Sequence, residues 1–376
     1  MGAISLEEYR QHFSAAAGYL DFARYGPPSD VVAAASAASL ETARREFADI
    51  DGLKIHESAS LGIVAKMTGR PGADSVTFAS STSAAITLVA MALRGGPGGE
   101  VLVSPHEFPA NVYPWVRAEA FGGPRVRWLE CPEGKVTPDV VAKALAKDTV
   151  ALAVSAVDFR TGYRADLAGL RDVLGDRLLL VDAIQGFGAC DMEWSHADAV
   201  MAGGQKWLRS SWGTGFISLS SRGETRLGEG LAGWTTVEEP YRYDGELHET
   251  VASAQRFSLT NGDLVAASRL HAGLDLLQSV GVATVEANIM ARVHEVRDAV
   301  RRHGGSVIVD LGDGELSGIV SFRIPGRSPA EVQEHLKSAG LLVTKHDSYV
   351  RASAHATTTS DTTAALSAAL AGLVAT

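Results

Sequence analysis

Seven short apolar, β-branched runs lie between about Ser75 and Ser220, most of them apolar at consecutive positions. They are Ser75–Phe78, Val101–Ser104, Val126–Leu129, Val150–Val154, Leu178–Asp182, Ala199–Ala202 and Gly215–Leu219. A strand with one wet face alternates polar and apolar residues, whereas a strand covered on both faces reads as a continuous apolar run. Helical stretches separate the runs. The pattern therefore predicts a doubly wound α/β domain around a mostly parallel, seven-stranded sheet. Ligands of such sheets bind beyond the carboxyl ends of the strands.

The pattern changes after about Gly262. Helical stretches cover Leu264 to Ser279 and Val282 to Arg302, followed by strand-like Ser306–Val309 and Gly318–Phe322. Ser328-Pro329-Ala330-Glu331 reads as an N-cap with Pro at the first helical position, opening a helix to about Ser338. An Ala/Leu-rich helix runs from Thr359 to Ala375. The glycine-rich stretch Gly95–Gly99 reads as a plain turn between a helix and a strand. The expected division is a segment 1–20 packing with the small domain, a large α/β domain 21–262, and a small α+β domain 263–376. A chain of 376 residues exceeds what one core usually serves.

Composition excludes several classes of function. A formal net charge of −10 argues against nucleic acid or an anionic membrane as partner. Cys131 and Cys190 are the two cysteines, too few for a disulfide framework or a zinc site, and no metal is expected. There is no charged-then-apolar leader pattern and no apolar run long enough to span a bilayer, so a cytoplasmic protein is expected.

Chemistry concentrates at three strand ends. Leu178–Asp182 ends on an acid, with Gln185 three residues on. Ala199–Ala202 leads through Gly203-Gly204-Gln205 to Lys206. A carboxylate and a lysine at the ends of successive buried strands suit pyridoxal 5′-phosphate (PLP). The lysine forms a Schiff base with the cofactor aldehyde, and the acid pairs with the pyridine nitrogen. Taken singly, an Asp closing a strand is commonly a turn or cap residue and a Lys is commonly solvated. The third end supplies a phosphate site. After Phe78 comes the hydroxyl-rich run Ser80 to Ser83, then a helix whose N-terminus favours an anion, with Thr82 and Ser83 as added donors. An ordinary Ser/Thr N-cap is the simpler alternative for that run.

These segments resemble the class V aminotransferase family of fold-type I PLP enzymes, which includes cysteine desulfurases and kynureninases. The resemblance runs from about Tyr19 to the C-terminus. "FASSTSAAITLVA" is similar to the phosphate-loop segment. "SPHEFPANVYPW" is similar to the segment carrying the residue stacked on the pyridine ring, and Phe108 falls at that position. A core aromatic is the alternative for Phe108. By the resemblance, Asp182 in "VDAIQ" pairs with the ring nitrogen and Gln185 bonds the ring 3′-oxygen. "GGQKW" resembles the Schiff-base segment, with Gly203 and Gln205 where a Ser and a His often bind phosphate. "RFSLTNG" resembles a turn that reaches the neighbouring subunit's phosphate, which implies a homodimer and a phosphate contact from Asn261. "VRASAHATTTSD" gives Arg351 the substrate α-carboxylate, a surface salt bridge being the alternative. "YLDFARYGPPS" resembles the segment lining the substrate entrance, with Phe22 where many members have Asn.

Departures from the family pattern narrow the expectation. Desulfurases carry a cysteine on a loop just before the Arg351 motif, and here "LLVTKHDSYVRAS" has none. "VDFRTGY" leans toward kynureninases. The expected enzyme acts at the α-carbon of a small amino-acid substrate, with Lys206 and Asp182 as catalytic residues. Aminotransferase is the leading expectation; β-eliminating C–S lyase and amino-acid epimerase are the alternatives. A PLP-fold protein that binds without turnover is a reading of a different class.

Overall fold

All seven apolar runs are strands of one sheet. In a computed structural model describing residues 2–14, 16–45, 49–95 and 98–374, they are Val76–Phe78 (β1), Glu100–Val103 (β2), Arg125–Trp128 (β3), Thr149–Ser155 (β4), Leu178–Asp182 (β5), Ala199–Gly203 (β6) and Gly215–Leu219 (β7). Their spatial order is β1-β7-β6-β5-β4-β2-β3. The pairs from β3 through β2, β4, β5 and β6 are parallel, while β7 runs antiparallel to β6 and β1. Gly96 and Pro97 of the expected glycine turn, and Ala375 of the last helix, lie outside the described residues.

Period two explains why the runs are apolar throughout. Leu179, Val181, Leu152 and Val154 point into one core, and Leu178, Leu180, Ala151 and Ala153 point into another on the opposite face. Burying one such leucine stabilises the fold by about 1.5–3 kcal/mol, so neither face tolerates a polar residue. β3 departs from the expectation of two covered faces. It is the sheet edge, paired with β2 alone, and Trp128 is exposed.

The strand order reverses between β2 and β4. The chain leaves β2 toward β3 on one side and leaves β4 toward β5 on the other, which opens a crevice at their carboxyl ends. β5 and β6 lie beside it in parallel, so the residues that follow them emerge on the same side.

The C-terminal region has a second sheet of Ser306–Val307 (β8), Ile319–Arg323 (β9), Thr344–Lys345 (β10) and Val350–Ser353 (β11), in the order β10-β11-β9-β8 and antiparallel throughout. The pair β10 and β11 was not anticipated from the sequence. Helices Leu264–Val280 and Val282–Arg302 meet at Gly281, whose φ of 82° is a conformation that favours glycine. Helix Pro329–Ser338 opens with a reciprocal Ser328–Glu331 capping box.

The N-terminal chain returns to this sheet. Leu20 N–H donates to Leu342 O at 2.9 Å, and Ser353 N–H donates to Leu20 O at 2.7 Å. Ala23 N–H donates to Ser353 Oγ at 2.8 Å. Residues 20–23 thus lie between β11 and the loop after β6. Among the described residues no helix is long and apolar enough to cross a membrane.

Candidate active site

Lys206 stands on a loop that closes on itself. Gly204 N–H donates to Thr214 O at 2.9 Å, and Ser210 N–H donates to Gly204 O at 2.8 Å. Two buried side chains pin the loop on either side of the lysine's exit. The Trp207 indole donates to Gln185 Oε1 at 2.9 Å. The Arg209 guanidinium lies 3.7 Å from the Phe13 ring centroid and donates to Pro27 O at 2.6 Å. Burial pushes the Lys206 amine down to about 8, opposed by Asp182 and Asp21 and assisted by Arg351. Its Nζ lies 5.6 Å from the centroid of the Phe108 ring.

Asp182 ends β5 and is buried at 1% exposure. Its Oδ1 accepts from Ile184 N–H at 3.0 Å, and no other hydrogen bond to the carboxyl occurs among the described residues. Desolvation pushes this carboxyl up to about 6, against the Ile184 bond and the Lys206 charge. An under-satisfied buried carboxyl is costly unless a cation meets it.

The phosphate end has a built cradle. Helix Thr82–Ala92 starts one residue after its cap, Ser81, whose hydroxyl accepts from Ala84 N–H. Thr82 is buried and its Oγ1 accepts from Gly203 N–H at 2.8 Å, which ties the helix start to the end of β6. Gly203 leaves room for the Gln205 side chain. A Cβ there would lie 2.4 Å from Gln205 Oε1 and 3.1 Å from Thr82 Oγ1. The glycine gives the Gln205 side chain its place. Ser83 is exposed in the first turn of the same helix.

Gln185 is more committed than its sequence reading suggested. It accepts from Trp207 and donates Nε2–H to Ala23 O at 2.9 Å, leaving one amide hydrogen for a ligand. Asn261 is exposed and makes no hydrogen bond among the described residues to the other site members.

Arg351 is buried on β11 at 5% exposure, so a surface ion pair is not its setting. Nη1 donates to Phe159 O at 2.9 Å, Nη2 lies 3.9 Å from Asp21 Oδ1, and Nε has no partner among the described residues. A guanidinium with an unused donor beside the lysine suits a carboxylate. Phe22, expected at the entrance, is buried against His355 with ring centroids 5.0 Å apart.

Two acids escaped sequence reasoning. Asp21 is buried next to Arg351 and Lys206, and its carboxyl is raised by desolvation. Glu107 precedes Phe108 and accepts from Ser155 N–H at 2.9 Å. Burial pushes Glu107 up to about 7, opposed by bonds from Ser155 and Asn111 and assisted by Asp182. Both lie inside segments quoted for other residues, "YLDFARYGPPS" and "SPHEFPANVYPW". The available signal was a lone acid, between apolar Leu20 and Phe22 for Asp21 and between His106 and Phe108 for Glu107.

The arrangement fits PLP on its own geometry: an under-paired carboxyl for the pyridine nitrogen, an amine of lowered basicity, a ring beside that amine, and a helix start where a phosphate can sit. The model of the aminotransferase class-V family matches residues 54–365.

The chain belongs to the class V aminotransferase family. PLP is its cofactor. A probable cysteine desulfurase of Methanothermobacter thermautotrophicus is 28% identical over 277 residues, 72% of this chain and 68% of that one. The apo cysteine desulfurase of Thermococcus onnurineus NA1 superposes with a TM-score of 0.88 at 20% identity, covering 100% of both chains. C-DES, described as a cystine C–S lyase in complex with its product cysteine persulfide, superposes at 0.85 with 19% identity, covering 94% of this chain and 97% of that one. A C-DES mutant carrying glycine linked to PLP gives 0.87 at 19% identity, over 96% and 98%. At these identities the solved structures speak to the fold, a seven-stranded, mostly parallel PLP-enzyme fold.

Proposed function

We propose that this class V enzyme is a PLP-dependent β-eliminating lyase that breaks the C–S bond of an S-substituted cysteine. The observation that carries the reading is the Lys206 amine, of lowered basicity, held among Asp182, Arg351 and Asp21. Bound PLP supplies an electron sink for charge developing at the substrate α-carbon. Arg351 grips the substrate α-carboxylate, and its free Nε donor completes a two-point hold. Lys206 takes the α-proton, and an amine near pKa 8 is partly unprotonated at neutral pH. Asp182 holds the proton of the pyridine nitrogen. Phe108 closes one ring face to water. Thr82, Ser83 and Gln205 hold the phosphate, and Gln185 gives its remaining amide hydrogen to the 3′-oxygen.

Overall, the Cα–H and Cβ–S bonds break, a thiol leaves, and one water converts the three-carbon remainder to pyruvate and ammonia. A desulfurase that parks sulfur on its own cysteine is a poor fit. Cys131 and Cys190 are both buried, and Cys131 is engaged with Ser104 Oγ at 3.0 Å. Epimerisation by two opposed bases is disfavoured because Phe108, not an acid, faces Lys206. Transamination is the second reading, supported by the family's description.

We also propose a homodimer. Trp234, Tyr241, Tyr243 and Leu247 are exposed on the stretch that precedes Asn261, and a second copy covering them would bring Asn261 to its neighbour's phosphate. Two buried free thiols suit a reducing, cytoplasmic setting.

The test is product analysis with S-substituted cysteines. Thiol, pyruvate and ammonia in equal amounts are expected. Keto-acid release that stops at one turnover unless a second keto acid is added would establish transamination instead.

A further inference from the structure

Glu107 is a half-buried acid that the reaction above does not use. Its position is unusual. The sheet ladder pairs β2 with β4 as far as Val103 and Ala153, and beyond those residues the loop after β2 and the loop after β4 diverge at the strand-order reversal. Glu107 reaches across this gap. Its carboxyl accepts from both the backbone N–H and the hydroxyl of Ser155, the last residue of β4. Ser155 in turn pairs in register with Asp182 on β5. One side chain therefore joins the Phe108 loop to the strand neighbouring the pyridine-nitrogen acid.

A second tie comes from the turn that follows. Asn111 N–H donates to Phe108 O at 2.7 Å, and Asn111 Oδ1 accepts from the Trp115 indole at 3.0 Å. Phe108 is thus held by its backbone on one side and by Glu107 on the other. Its ring is otherwise weakly fixed, being 43% exposed with one edge contact to Phe159 at 5.2 Å. The loop's other ties, from His106 N–H to Ser104 Oγ at 3.1 Å and from Glu107 N–H to Ser104 O at 3.3 Å, reach back to β2 and not across to β4, so the Glu107 carboxyl is what joins it to β4.

We propose that Glu107 is a positioning residue that clasps the crevice between β2 and β4, fixing Phe108 beside Lys206 and placing a second carboxyl next to Asp182. This rests on the reading that Phe108 covers the cofactor ring and Asp182 meets its nitrogen. The charged group acting on Glu107 is Asp182 from β5; Ser155 from β4 and Asn111 from the following turn present neutral donors. A buried negative charge raises the pKa of neighbouring groups, so its removal lowers them.

The test uses PLP-loaded wild type, Glu107→Gln, Glu107→Ala and Lys206→Ala. PLP affinity is measured by equilibrium dialysis, and the visible band is titrated with pH. Glu107→Gln is isosteric, can still accept from Ser155, and preserves the fold. It is expected to bind PLP within about threefold of wild type, with the pH midpoint of the band moved down by about half a unit or more. Glu107→Ala loses the clasp and is expected to bind PLP about tenfold more weakly. A mere strut would be fully restored by glutamine, so a Glu107→Gln titration that superposes on wild type overturns the proposal, whatever the alanine variant does. A Lys206→Ala variant that still becomes covalently attached to PLP on borohydride reduction would overturn the site reading itself, which is a separate failure.

Discussion

The two halves of the site are built on opposite principles. The cofactor half hangs from β5 and β6, whose register is fixed by side chains packed on both faces. The substrate half hangs from β11, a short strand held by β9, the brief β10 and the returning segment 20–23. Asp182 and Lys206 therefore stand on a rigid floor, while Arg351 stands where two distant parts of the chain meet. On the proposed reading the two halves do separate work: charge control on the floor, substrate recognition at the seam.

The largest expected effect breaks the floor. Lys206→Ala should lower turnover by about a thousandfold or more and abolish covalent attachment of PLP on borohydride reduction, because no other amine replaces it. Circular dichroism should show the fold retained. Asp182→Asn sharpens the same point with opposite signs for activity and stability. Activity should fall by about a hundredfold, since an amide cannot hold the pyridine proton as a carboxylate does. The cofactor-free protein should become more stable above pH 7. The folded-state pKa of Asp182 is raised to about 6, so its ionisation erodes stability as pH rises from the ordinary carboxylate range through that value. Asparagine removes this loss, by roughly 1–3 kcal/mol, and can keep the bond from Ile184. Chemical denaturation of both proteins at pH 5 and pH 8 measures it, and equal stability at pH 8 would show that the carboxyl is already neutralised there.

Breaking the seam should look different. Arg351→Gln should leave the visible band and PLP affinity unchanged and raise KM by about tenfold to a hundredfold. A loss of PLP in that variant would mean that the two halves are one cooperative unit.

The same contrast explains what the sequence made legible. Double-sided burial leaves a local signature, so the covered strands of the large sheet could be read from runs such as Leu178–Val181. Asp182 and Lys206 were legible because they end such runs. β10 and β11 were not, since Thr344 and Lys345 are not buried, their partners Arg351 and Val350 lie across a turn, and β11 is also held by Leu20 far upstream. Asp21 was hidden for the same reason. Its role arises from Arg351 and Thr344, more than three hundred residues away in sequence. Glu107 could be seen as a lone acid beside Phe108, but its bond to Ser155 follows from the strand-order reversal, which no local pattern encodes.

Asp21 offers the smallest and most discriminating test. Its carboxyl lies 3.9 Å from Arg351 and accepts a hydrogen bond from the Thr344 hydroxyl. It occupies the electrostatic place that a substrate carboxylate would take, so it competes for the guanidinium. Asp21→Asn keeps the shape and can still accept from Thr344. It should lower KM by about twofold to fivefold, with kcat changed less, because a like charge facing the incoming carboxylate is gone. The gain should be largest where Asp21 is ionised, and it should fade at lower pH as the raised carboxyl protonates in the wild type. A rise in KM would carry the opposite lesson. It would place Asp21 against the substrate's ammonium and make the seam a two-charge clamp, with Arg351 for the carboxylate and Asp21 for the amine.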